Sequence, residues 1–122
     1  MKKIKIMPEY GCSPLWLYDS NNIVKNIEIS ELSISERLKN DIHLWAGRYE
    51  STFDEGYPPD SGFSNVSDEE AFELEGIAIW EKLQKEGHLY YNVSFFSTLV
   101  GKVFENIHDY RKEVASHTHY IL

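Results

Sequence analysis

Residues 33–53 read SISERLKNDIHLWAGRYESTF, and how they fold decides the architecture. Ile34, Leu38, Ile42, Trp45, Tyr49 and Phe53 recur at steps of four, four, three, four and four. At helical spacing this gathers them within about 100° of arc. Ser33 followed by Glu36 has the spacing of a capping box, in which each side chain accepts a hydrogen bond from an amide that the new helix leaves unpaired. The stretch therefore predicts a helix with a single apolar stripe, and such a stripe is stable only against a second layer.

The flanking residues say what that layer is. Upstream, Lys3 to Met7 alternates polar and apolar with period two, the pattern of a strand with one buried face. Pro14 to Tyr18 supplies a second short strand, and the turn cluster Asp19-Ser20-Asn21-Asn22 leads to a third around Ile23, Val24 and Ile27. Downstream, Asp54 to Asn65 contains Gly56, Pro58, Pro59 and Gly62, which end the helix in an acidic loop. Ser67 and Glu70 repeat the capping-box spacing and open a second helix that stops at Gly87. Its wheel sets Ala71, Phe72, Leu74, Ala78, Ile79 and Leu83 on the apolar arc and Glu69, Glu70, Glu73, Glu81 and Gln84 on the other side. His88 to Phe96 alternates Leu89, Tyr91, Val93 and Phe95 against polar and aromatic residues, as expected of a central strand. Beyond it, Leu99, Val100, Val103, Phe104, Ile107, Tyr110 and Val114 fit helical spacing, with a hairpin return strand as the competing reading. The sum is an α+β fold: a small mixed or antiparallel sheet with two or three helices packed on it.

At 122 residues the chain is expected to form one domain, 1–122, around one core. Three Trp, eight Tyr and six Phe mark a globular protein and not a disordered acidic tail. Lys2, Lys3 and Lys5 are followed by isolated apolar positions and then by Pro8, Glu9 and Gly11, which is not the layout of a secretory signal. No apolar run approaches the roughly 20 residues of a membrane span. A single cysteine, Cys12, rules out an intramolecular disulfide and is expected to be buried or half-buried. A reducing cytoplasm is the expected location.

Charge is the main functional signal. Between Tyr49 and Glu81 there are ten carboxylates and no lysine or arginine, out of twenty acids in a chain of formal charge -8. The remainder carries 12 Lys+Arg against 10 Asp+Glu, about +2. A one-signed field of this kind attracts cationic partners and speeds their encounter, and it disfavours nucleic acid and anionic membranes as ligands.

The segment Met7-Pro8-Glu9-Tyr10-Gly11-Cys12-Ser13-Pro14-Leu15-Trp16 resembles a family of small bacterial proteins. Glu31 to Ser35, Trp45 and Tyr49, Ser61-Gly62-Phe63, and Phe72-Glu73-Leu74-Glu75-Gly76 agree with it, so the likeness covers roughly residues 4 to 96. Acidic members of such families resemble immunity proteins of contact-dependent growth inhibition systems. The resemblance implies a protein that is not an enzyme and that binds a cognate toxin, often a nuclease, and blocks it in the cytoplasm.

The residues expected to bind that partner are Asp54, Glu55, Tyr57, Asp60, Phe63, Asp68, Glu69, Glu70 and Glu73. Acids account for the charge, and Tyr57 and Phe63 for rigid aromatic contact area, although Phe63 is also expected to fold back over the core. Glu75 falls on the packed side of the second helix and calls for a partner such as Arg48 or a tyrosine hydroxyl, and Gly76 beside it suits close helix packing. No cofactor is implied, and no metal set is complete. The competing reading is a small metal-binding protein or enzyme using carboxylates with His117 and His119, which would share a face on a strand.

Overall fold

The computed structural model describes residues 2–19 and 22–116. In chain order these form β1 (Lys2–Ile6), β2 (Leu15–Asp19), β3 (Asn22–Asn26), α1 (Glu36–Glu50), α2 (Val66–Glu86), β4 (Tyr91–Ser97), β5 (Lys102–Phe104) and α3 (Ile107–Ala115), with short 3-10 turns at Ile29–Glu31 and Pro58–Asp60. The strands make one mixed sheet in the order β3-β2-β1-β4-β5. β1 pairs antiparallel with β2 and parallel with β4, and the other neighbours are antiparallel. This is the α+β class expected, and β4 is the interior strand its composition suggested.

One sheet face carries Ile4, Ile6, Leu15, Val93 and Phe95, all buried, and meets Leu38, Ile42 and Trp45 of α1 and Phe72, Ile77, Trp80 and Leu83 of α2 in a continuous core. Each buried indole satisfies its N–H on a neighbouring backbone: Trp45 donates to the Phe72 carbonyl and Trp80 to the Val93 carbonyl, both at 2.9 Å. A Cβ on Gly76 would come within 2.8 Å of the Trp45 ring and 2.9 Å of the Phe95 ring, so this glycine is what lets α2 approach both. The segment with the family likeness is scaffold: Tyr10 stacks on Tyr49 at 4.6 Å and shares a 2.5 Å hydrogen bond with Thr52, and Trp16 donates to the Met7 carbonyl at 2.9 Å. Burial, with the neighbouring Tyr10 and Glu9, pushes the Tyr49 hydroxyl up to about 12.

Three expectations need correction. Ser35, not Ser33, caps α1: its hydroxyl accepts from the Leu38 amide, and Glu86 at the end of α2 receives both its N–H and its O–H. Asn65, not Ser67, caps α2 by accepting from the Asp68 amide at 2.8 Å. The wheel of α2 is also turned. Ala71, Leu74 and Ala78 face outward, while Ile77, Trp80 and Glu73 are inside. For residues 99–114 the two readings are consecutive and not exclusive: Gly101, with φ of +81°, turns β4 back into β5, and α3 follows.

Candidate functional site: an acidic rim around an aromatic cleft

The loop between α1 and α2 is shaped by its own side chains. Asp54 accepts hydrogen bonds from the amides of Gly56 (2.9 Å) and Tyr57 (3.0 Å), while its own amide donates to the Ser61 hydroxyl at 2.8 Å. The Gly62 amide closes the loop on the Thr52 carbonyl, with φ of +143°, a conformation open to glycine. So tied, the loop holds Glu55, Tyr57 and Asp60 outward, Tyr57 at 58% exposure. Asp68 is exposed and Glu69 and Glu70 are half-buried in the first turns of α2, where carboxylates also suit the positive end of the helix dipole. Glu50 lies on the same side and accepts from the Gly11 amide.

Phe63 turns back as expected. Its ring lies 5.0 Å from that of Phe72 and 6.4 Å from that of Tyr49, and it is half-buried. It lines a surface cleft of about 450 Å³ together with Arg48, Asp68, Ala71, Phe72 and Glu75. Glu75 is tied to Arg48 across the two helices, the partner its position asked for. A second cleft of about 200 Å³ shares Arg48 and Glu75 and continues along the helix seam to Leu44, Ala78 and the Asp41–Lys82 ion pair at 3.5 Å.

Glu73 is not on this surface. It is 1% exposed, and its carboxylate accepts hydrogen bonds from the hydroxyls of Ser97 and Tyr110, the latter at 2.8 Å. Burial pushes its carboxyl above the ordinary range, opposed by Ser97, Tyr110 and the Leu99 amide and assisted by the charge of Glu69. The sequence did hold a sign of this: an arc through Phe72, Gly76, Ile77, Ile79, Trp80 and Leu83 spans about 160° at helical spacing and encloses position 73. The same turn of the wheel leaves Leu74, expected on the apolar arc, at 50% exposure, and on α1 Leu44, outside the expected stripe, is 54% exposed.

Cys12 is exposed, not buried, and partial desolvation followed by Glu9 and Glu50 pushes its thiol up, away from the nucleophilic thiolate. Among the described residues no three His, Cys, Asp or Glu side chains are grouped to hold a metal ion, and His117 and His119 lie outside those residues. No described helix is long and apolar enough to cross a membrane. Compared with known proteins, residues 2–98 match the family model described as Serratia CdiI immunity protein-like. No curated protein matches the chain.

Proposed function

The chain belongs to the Serratia CdiI immunity protein-like family, and from that premise we propose that it is the cytoplasmic antidote to a cognate toxin domain, a cationic nuclease, which it neutralises by covering the surface that binds substrate phosphate. The contact surface is the rim formed by Asp54, Glu55, Tyr57, Asp60, Asp68, Glu69 and Glu70. Glu73 serves this rim from inside by holding α2 to β4 and α3. The observation that carries the reading is the run of acids from Glu50 to Glu70, without one Lys or Arg, on a loop and helix start that face solvent.

Inhibition on this reading is occlusion without chemistry. The negative field draws in a basic toxin and orients it, and Tyr57 provides a rigid apolar contact that charge alone lacks. Discrimination among basic proteins then rests on the shape and aromatic groups of the rim.

The test uses the toxin domain that this reading expects to be encoded immediately upstream of the gene. Co-expression with the present protein is expected to restore growth of cells producing that domain. The two should co-purify as a complex in which nucleic-acid cleavage is blocked. Failure of the pair to associate, with both partners folded, would overturn the reading.

A further inference from the structure

The larger cleft has a composition that the rest of the rim lacks. It is lined by the packed rings of Phe63 and Phe72, by Asp68 and by the Arg48–Glu75 pair. Formal charge in the cleft is one positive against two negative, a net of -1. Arg48 is its only Lys or Arg and is already engaged by Glu75, whereas the hydrogen bond that Asp68 receives, at 3.0 Å, comes from the neutral amide of Asn65. Ala71 stands exposed at the lip and projects nothing beyond Cβ across the opening. The neighbouring cleft is smaller, about 200 Å³, and has no aromatic residue among the described residues that line it. Its charges cancel, with Asp41 and Glu75 against Arg48 and Lys82.

An aromatic lining with a net negative charge fits one kind of occupant. The side chains of arginine and lysine have an apolar stem that packs on rings and a cationic head that gains from both a ring face and a carboxylate. We propose that this cleft is the seat for a single Arg or Lys side chain of the toxin, with the stem against Phe63 and the head directed to Asp68 and Glu75. The inference rests on the proposed toxin-binding role and adds to it the point where register is fixed: the rim sets the encounter rate, and the seat sets the lifetime of the complex. A second copy of this chain is a poor occupant, because it would bring its own acidic rim, on a chain of charge -8, against this one.

The experiment measures binding kinetics between the full chain and a catalytically inactive form of the upstream-encoded toxin domain. Three variants are compared with wild type: Ala71→Trp, which fills the mouth of the seat from an exposed helix position; Asp68→Asn, which removes its charge at constant shape; and Ala78→Trp, which places the same bulk over the neutral cleft. Ala71→Trp is expected to weaken binding about 30-fold or more through faster dissociation. Asp68→Asn is expected to reduce both affinity and salt dependence, and Ala78→Trp to stay within about threefold of wild type. Binding of Ala71→Trp and Asp68→Asn at the wild-type level would overturn the proposal, as would an equal loss with Ala78→Trp. So would a homodimer of the wild-type chain that Ala71→Trp dissociates, since the occupant would then be a second copy. Should Ala71→Trp fail to fold, the dissociation rate of Asp68→Asn decides: faster release supports the seat, and a loss confined to the association rate, which the rim alone explains, overturns it. Absence of wild-type binding would instead count against the toxin-binding role itself.

Discussion

Glu69 and Glu73 are one helical turn apart and carry the same charge, yet only Glu73 is taken out of water. Its raised carboxyl means that the native state holds the proton more tightly than the unfolded chain does. The stability it contributes is therefore largest below the ordinary glutamate value of 4.5 and declines as pH rises through the raised native value. In urea titrations Glu73→Gln, which lacks this ionisation, should gain on wild type as pH goes from about 4.5 to neutrality. A constant gap between the two would contradict the assignment. Glu73→Ala leaves the hydroxyls of Ser97 and Tyr110 without this acceptor next to a new cavity, and should cost about 2–4 kcal/mol. Two glycines test packing in opposite directions. Gly76→Ala must push against Trp45 and Phe95 and should destabilise by about 1–3 kcal/mol, whereas Gly47→Ala, with open space at its Cβ, should stabilise by about 0.5–1 kcal/mol, both read from denaturant midpoints. The role of Gly76 and the need of Glu75 for a partner were legible in the sequence because each is a local conflict within the helix pattern, with Arg48 one of the two kinds of partner open to Glu75. Glu73 was not, because a wheel that includes Ala71, Leu74 and Ala78 in the apolar arc puts position 73 on the solvent side.

At the level of elements, periodicity located both long helices but not their first residues. Residues of N-cap type, Ser and Asn, recur within a few positions of each helix start, and the choice falls to the contacts each one finds. Ser35 wins at α1 because Glu86 of α2 is there to receive its N–H and O–H. Asn65 wins at α2 because its amide can accept from the Asp68 N–H while donating to the Asp68 carboxylate. Asn65→Ala should accordingly lower thermal stability by the equivalent of about 1 kcal/mol, and Ser67→Ala should leave it nearly unchanged. The reverse order would restore Ser67 as the cap. Strand alternation gave β1, β2 and β4, but the parallel pairing of β1 with β4 joins residues 2–6 to 91–95 and has no local signature. The family match ends at residue 98, one residue past β4, yet α3 beyond it supplies Tyr110, which packs on Phe95 and Phe104 and reaches Glu73.

For the molecule as a whole, the negative charge is concentrated in one stretch, ten acids between Tyr49 and Glu81 without a Lys or Arg. The helix-covered face of β1 carries Ile4 and Ile6, and the alternate positions Lys3 and Lys5 fall on the open sheet face, where the Lys5 ammonium sits 4.6 Å from the Tyr18 ring centroid. The acids of the rim stand on the loop between α1 and α2 and on the first turns of α2. The acidic stretch was legible from composition, and so was the return of Phe63 to the core. The cleft was not, since it depends on α2 being rotated so that Ala71 and not a large side chain lies at its lip. On the proposed role the exposed acids capture a basic toxin, and the association rate of the toxin domain expected upstream of the gene, measured with wild type and with the Glu55→Lys, Asp60→Lys double variant at two ionic strengths, tests it most directly. Both positions are exposed on the loop surface. The expected result is association slower by about 10- to 100-fold at low salt, with the difference shrinking as salt is raised towards 1 M. An unaltered rate at low salt would contradict the claim.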